Sequence, residues 1–382
     1  MKVTKRTVPL KERTNGENHK LTVFDIESDQ EGPHVYVQSS LHGAELQGNA
    51  LIYHLLAYLK SHSFCGSITI NPMANPVGVN LKSGDYTVGR YNPNSGNNWN
   101  RNYLNFSELK DEYSKDDFNL PDFIKKNLSL SDKEIVIAYK SFMKKHLEGC
   151  LHSSYGVSDD DLLAIHLQLM STQADYVLDL HTGGVATRWL YAPEYSKDSA
   201  KDLLFKHTLL IPHDFSGALD EASFMPWLNL ASELKKQNRD FKVDQEAYTL
   251  ELGSQEKIDL DKAQQDLQGV LNYLYKKGFL LEDPKVDTQI HQYYCNLDDF
   301  KTYYAPSGGF LHYDTLPGEF SKKGDSIVRL LNLSHLNEDL NLNQALTPVV
   351  CNDDCIMINM TSSSAVQEGQ HIFDVMENYS LY

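Results

Sequence analysis

The chain has 382 residues, 41% of them hydrophobic and 23% charged, with a formal net charge of -17. That length allows one large core and on general grounds about two domains, and the mix of residues is ordinary for a globular protein. So acidic a chain lacks the basic footprint that nucleic acid or an anionic membrane surface demands, and its five scattered cysteines, with no Cys-x-x-Cys pair, support neither a disulfide framework nor a thiolate zinc site.

The first twenty residues, MKVTKRTVPLKERTNGENHK, are basic but have no apolar core of the kind a signal peptide needs. No apolar run approaches the length of a membrane span, so the expected setting is cytoplasmic. Residues 21–100 alternate strand and helix signals. LTVFDI and VYVQSS read as strands, ELQGNALIYHLLAYLKSH carries leucines and aromatics at helical spacing, and SITINPMANP reads as a buried strand ending in Asn-Pro turn chemistry. Strand, helix, strand in that order predicts an α/β sheet with helical crossovers.

Residues 103–150 are rich in Lys, Asp and Glu and read as a helical insertion, with a helix entered at Ser131 through a capping box with Glu134. A lid over a site and a solvated excursion are equally good readings of it. Ser158, followed by three aspartates, starts another helix that runs to about Ala174. DYVLDLHTGG is a strand ending at a glycine pair, EAYTLELGS a strand ending at Gly253, and AQQDLQGVLNYLYKKG a helix stopped by Gly278. After Pro284 the signals are β-type. Two stretches there, APSGGFLHYDTLPGEFSKKGDSIVRLL and TPVVCNDDCIMINMTSSSAVQEGQHIFDV, are weakly alike, which suggests two similar hairpin units. The expected division is 1–285 for a catalytic domain and 286–382 for a β-domain.

His42 and Glu45 follow the VYVQSS strand, in the crevice beyond strand ends where open α/β sheets bind ligands. An imidazole and a carboxylate are good zinc ligands, but a catalytic zinc needs a third. The motif alone is weak: His335 and Glu338 repeat the spacing in a polar loop. His181, at the end of its own strand, is the natural third ligand, and Asp179 lies two residues earlier on the same side of the pleat, where it could orient a ligand histidine. Glu251, in TLELG, could move protons between an attacking water and a leaving group; a partly buried structural glutamate is the plainer reading. GRYNPNSGNNWNRNY, residues 89–103, is loop-like and carries Arg90 and Arg101. Guanidinium groups there could hold an oxyanion or clamp a substrate carboxylate, although composition alone describes a turn-rich surface loop.

In order along the chain, HGAE, NP with Arg-Tyr and Asn-Arg, DLHTGG and TLELG resemble the motifs of the succinylglutamate desuccinylase/aspartoacylase family, the acylase branch of the zinc carboxypeptidase superfamily. YYAPSGGF and KKGD are similar to that family's C-terminal β-domain. The resemblance runs from about residue 20 to the C-terminus and leaves only the 103–150 insertion without a counterpart. It implies a zinc-carboxypeptidase-like (phosphorylase/hydrolase-like) mixed sheet flanked by helices, with a smaller C-terminal all-β domain of barrel-sandwich type. That β-domain lacks a Met-Lys-Met-like lysine turn, so no attached prosthetic group is expected.

The resemblance further implies one zinc per subunit held by His42, Glu45 and His181, with Glu251 as general base and acid. Arg90 would polarise the amide carbonyl, and Asn100 and Arg101 would hold a substrate carboxylate. Arg188, soon after DLHTGG, is a further carboxylate binder on the sequence reading. Two departures stand out. The family's usual Asp-Leu-Asn-Arg is Asn98-Trp99-Asn100-Arg101 here, and the segment from Arg90 to Arg101 is longer than the pattern requires. The implied activity is zinc-dependent hydrolysis of the amide bond of an N-acyl amino acid or similar small amide. A metallocarboxypeptidase acting on short peptides and a non-catalytic binding protein on the same fold are the rivals. Other divalent ions suit such a ligand set, and its affinity should fall on acidification because ligand histidines must be neutral. The expected partner is a small molecule, not nucleic acid or membrane, and a homo-oligomer is left open.

Overall fold

Val35, Tyr36 and Val37 are all fully buried, which marks the His34–Ser39 strand as covered on both faces. The computed structural model describes residues 1–106 and 119–382, so residues 107–118 of the expected insertion lie outside the described residues. The chain divides into two units. The first comprises Met1–His181, His213–Thr249 and Ile258–Val286, and the second Thr182–Pro212, Leu250–Lys257 and Asp287–Tyr382.

The first unit is built on a mixed sheet with helices against it. Its strands run in the order Lys2–Glu12, Asn18–Glu27, Ser67–Asn71, His34–Ser39, then Tyr176–Gly183 as far as His181 and Glu246–Ser254 as far as Thr249. The first three are joined antiparallel, while His34–Ser39 runs parallel to both of its neighbours. The helix Gln47–Ser61 makes the crossover from His34–Ser39 to Ser67–Asn71 and packs on the helix Leu260–Lys276. The latter starts with Lys262 N donating to Asp259 Oδ1 at 2.9 Å and is followed by Gly278 at φ 71.

The Asp132–Cys150 helix has the expected capping box, with Ser131 N donating to Glu134 Oε2 at 2.8 Å and Glu134 N to Ser131 Oγ at 3.4 Å. It is not a solvated excursion. Ile135, Tyr139, Met143 and Leu147 form one buried stripe that joins a core with Trp227, Leu230 and Leu234 of the Leu219–Lys236 helix. The helix begun by Ser158 spans Asp159–Ser171, shorter than its sequence pattern. Thr172 Oγ1 turns back to Gln168 O at 2.7 Å, and Ala174 N bonds Ser171 O to start the turn into the next strand.

In the second unit, Arg188–Pro193, His207–Ile211 and Tyr293–Asn296 are neighbouring parallel strands, with Ser380–Leu381 antiparallel at the end. The C-terminal residues add all-β sheets. One has the path Phe300–Tyr304, His371–Glu377, Cys355–Met360 and Phe320–Ser321, with Val185–Ala186 paired to Cys355–Met360. The other runs Leu346–Val350, Ser326–Leu331, Gly309–Tyr313, Ala365–Val366. Their inward residues, among them Ile327, Val328, Met357, Ile372 and Phe373, form a core of their own.

One buried charge makes the first unit sensitive to pH. Asp220 accepts from Thr249 Oγ1 and from Glu221 N, both at 2.9 Å, and its burial, aided by neighbouring Glu221, pushes its carboxyl up to about 6. The folded form therefore holds its proton more tightly than the unfolded chain. That stability is full below the unfolded value of about 3.9 and is lost as pH rises through the folded one. Asp220→Asn should be more stable than wild type at pH 8 by on the order of 1–3 kcal/mol, read as a raised Tm, and show no such gain at pH 4. An equal difference at both pH values would count against this assignment.

Candidate metal centre

The chain leaves the His34–Ser39 strand through Ser40, at φ 60. That left-handed conformation costs a non-glycine residue on the order of 1 kcal/mol, and its surroundings hold it. Asn49 Nδ2 donates to Ser40 Oγ at 2.7 Å, Asn75 N to Ser40 O at 3.1 Å, and Asn75 Nδ2 to Leu41 O at 3.0 Å. Glu45 N then closes a turn on His42 O at 3.1 Å, which brings the His42 and Glu45 side chains together. Gly43 leaves no room for a side chain, because a Cβ there would lie 2.1 Å from Gly78 O. Its N donates to Gly89 O at 3.0 Å, and this close backbone approach brings the next residue, Arg90, alongside.

His42, Glu45 and His181 are buried, with ligand atoms all within 4.8 Å of one another, the one such group found among the described residues. His42 Nδ1 lies 2.9 Å from Glu45 Oε1, and His181 Nδ1 2.7 Å from Glu45 Oε2. The rings meet edge-on with centroids 5.2 Å apart. Each histidine thus turns Nδ1 toward the carboxylate and Nε2 toward a second partner. Asn98 Oδ1 receives His42 Nε2 at 2.8 Å and Asn100 N at 2.9 Å. A backbone N–H must face an acceptor, so the Asn98 oxygen is fixed in place and the His42 proton sits on Nε2. Asp179 Oδ2 lies 2.9 Å from His181 Nε2, a charge contact without the angles of a hydrogen bond. Asp179 Oδ1 accepts from Gln38 Nε2, and Gln38 Oε1 from Tyr36 OH, each at 2.9 Å.

Burial would push the Glu45 carboxyl up, but His42 and His181 outweigh it and hold the group well below the usual carboxylate range. Burial would lower His181 too, but Asp179 and Glu45 hold its ring well above the usual imidazole value. At His42 burial wins and the pKa is lowered. The centre therefore favours positive charge between two inward imidazole nitrogens and a buried carboxylate. That donor set fits a divalent ion of the zinc type.

Arg90 Nη1 donates to Glu45 Oε1 at 3.0 Å and lies 3.5 Å from His42 Nδ1, with its side chain half-exposed. Asn100 is buried, and its Oδ1 caps the Leu219–Lys236 helix by accepting from Leu219 N at 3.1 Å. Nδ2 is then its donor for any ligand. Arg101 is exposed and donates to Asn100 O at 2.6 Å. Glu251 and Arg188 belong to the second unit. Glu251 is partly buried on its strand, and Arg188 Nη1 would lie 3.5 Å from a Cβ placed on Gly253, two residues beyond Glu251. His335 and Glu338 are exposed, His335 ending a short 3-10 turn, and they join no such cluster. Sequence reasoning missed Asn98, Gln38 and Tyr36. The one signal for the latter two is polar atoms at alternate positions of an otherwise apolar strand.

The catalytic-domain model of succinylglutamate desuccinylase/aspartoacylase matches residues 31–276. The chain belongs to the succinylglutamate desuccinylase/aspartoacylase family. A solved structure named as a protein of this family, from Shewanella amazonensis, is 36% identical over 99% of this chain and 100% of that one, with a TM-score of 0.92. Another, from Shewanella frigidimarina, is 35% identical over 99% of this chain and 98% of that one, again at 0.92. The ectoine utilization protein EutE (DoeB) of Ruegeria pomeroyi, 15% identical over 98% of this chain and 94% of that one at a TM-score of 0.67, shares the fold. No curated protein matches the sequence.

The crowding at Gly43 can be tested directly. Gly43→Ala should destabilise the protein by on the order of 2 kcal/mol, read as a lowered Tm. An unchanged Tm would mean that the Gly78 backbone yields freely.

Proposed function

We propose that this family member is a zinc-dependent amidohydrolase that removes the acyl group from an N-acyl amino acid or a similar small amide, with one zinc per subunit. The observation that carries this reading is the buried trio His42, Glu45 and His181 with Arg90 against it. Zinc, when bound, supplies Lewis acidity and acidifies a water at neutral pH.

The residues of the chain take the remaining roles. Arg90 offers its guanidinium to the oxygen of the scissile carbonyl as negative charge builds there. Glu251 takes a proton from the attacking water and returns it to the leaving nitrogen. Asn100 Nδ2 and Arg101 bind the substrate carboxylate, with Arg188 as a further cation for it. Asp179 and Asn98 fix the two imidazole rings. Residues 1–285 carry the chemistry in this scheme, and residues 286–382 support it without a prosthetic group. The setting is cytoplasmic; no helix among the described residues is long and apolar enough to cross a membrane.

Metal analysis combined with a hydrolysis screen tests the scheme. Wild-type protein should hold about one zinc per chain and cleave N-acyl amino acids in preference to dipeptides. Preference for dipeptides would favour the carboxypeptidase reading, and absence of any divalent ion would favour a binding protein. Glu251→Gln should keep its zinc and lose turnover by a factor of roughly 100 or more. Full turnover in that variant would remove Glu251 from the mechanism.

A further inference from the structure

Asp160 is a charged residue only 3% exposed, in the first turn of the Asp159–Ser171 helix, and the scheme above gives it no task. Three side chains of one loop converge on it. Asn92 Nδ2 donates to Oδ1, while Ser95 Oγ at 2.6 Å and Asn97 Nδ2 at 2.9 Å donate to Oδ2. All three donors are neutral, so the arrangement does not neutralise the charge. It fills the acceptor capacity that a buried carboxylate must have filled, at a helix end whose dipole favours an anion.

The loop is closed on itself at its neck. Asn92 N bonds Asn97 O and Gly96 N bonds Asn92 O, both at 2.8 Å, and Tyr91 and Asn98 form an antiparallel bridge. Trp99 N reaches Arg90 O at 3.3 Å. The residues on the two sides of that neck include Arg90, bonded to Glu45, and Asn98, bonded to His42. The extra length between Arg90 and Arg101 is thus a closed loop clipped to Asp160 at its tip and applied to the metal centre at its base.

We propose that Asp160 is a positioning residue that clamps the Asn92–Asn97 loop so that Asn98 Oδ1 stays on His42 Nε2 and Arg90 on Glu45. The inference rests on the reading of His42 as a metal ligand, and its test separates the two. Zinc affinity is measured by competition with a chromophoric chelator for wild type, Asp160→Asn, Asn98→Ala and the double variant, alongside hydrogen–deuterium exchange of residues 89–101. Asp160→Asn should weaken zinc binding by about 10-fold, the lower end of the range for groups that orient a ligand. The double variant should bind no more weakly than Asn98→Ala alone, because the two residues act in series. Exchange in residues 89–101 should quicken while the His34–Ser39 strand stays protected.

A lowered Tm with wild-type zinc affinity would show Asp160 to be structural only and overturn the proposal. Additive losses of affinity would overturn it as well. If wild-type protein binds no zinc, the metal reading fails and the exchange data decide the clamp: faster exchange in Asp160→Asn supports it and unchanged exchange refutes it. Should Asp160→Asn not fold, Asn97→Ala removes one of the three donors and should give the same pattern at about 2–3-fold, as expected for one hydrogen bond; no change in either readout would refute the clamp.

Discussion

The structure around the site depends on one buried carboxylate. Glu45 is 2% exposed, and an isolated carboxylate at such a depth would cost several kcal/mol. Its two oxygens are divided between two histidines, and Arg90 adds a guanidinium. Satisfying that charge sets demands on separate parts of the chain. The turn after Ser40 must be left-handed, Gly43 must lie against the backbone of Gly78 and Gly89, and the His181 strand must run beside His34–Ser39. A group that holds its negative charge this firmly is suited to a divalent cation.

The two histidines are not supported alike. His181 leans on a carboxylate that is itself held by Gln38 and Tyr36, whereas His42 leans on the neutral amide of Asn98. The family's usual aspartate at that point of the Asp-Leu-Asn-Arg run is an asparagine in this chain. A carboxylate raises the basicity of its histidine more than an amide does, so the Nε2 partners make His181 the stronger donor of the pair. Asn98 instead contributes orientation, since one oxygen bonds both the ring and the backbone of Asn100.

The turn that follows His181 belongs to the second unit and is held within it. Gly184 N donates to Asn359 Oδ1 at 2.9 Å, and Asn359 Nδ2 to Asp374 Oδ2 at 2.8 Å, while Val185–Ala186 joins the Cys355–Met360 strand. A Cβ on Gly183 would come within 2.7 Å of Asn359 Oδ1, which explains why DLHTGG ends in glycines at this point. The C-terminal sheets therefore have a structural task in holding this turn, independent of any carried group.

What the sequence determined by itself is what nearest neighbours along the chain can fix. The caps at Ser131 and Ser158, the stop at Gly278 and the pairing of His42 with Glu45 three residues on are all set by local geometry. The strand-end position of His181 extended that reach to a third ligand, and the family motifs agreed with it, although no spacing rule could supply its distance from Glu45. The N-terminal Lys2–Glu12 strand escaped notice because it is mostly exposed, with Leu10 its only buried residue, and owes its order to a partner strand. Asn98 and Arg90 likewise belong to a stretch that reads as a surface loop, and Asp160 reads as an ordinary first-turn acid of its helix. Their roles come from partners 56, 45 and 68 residues away. Those pairings were decided only by the tertiary structure, because a polar side chain in a loop carries no periodicity that records what it will face once the strands and helices have packed.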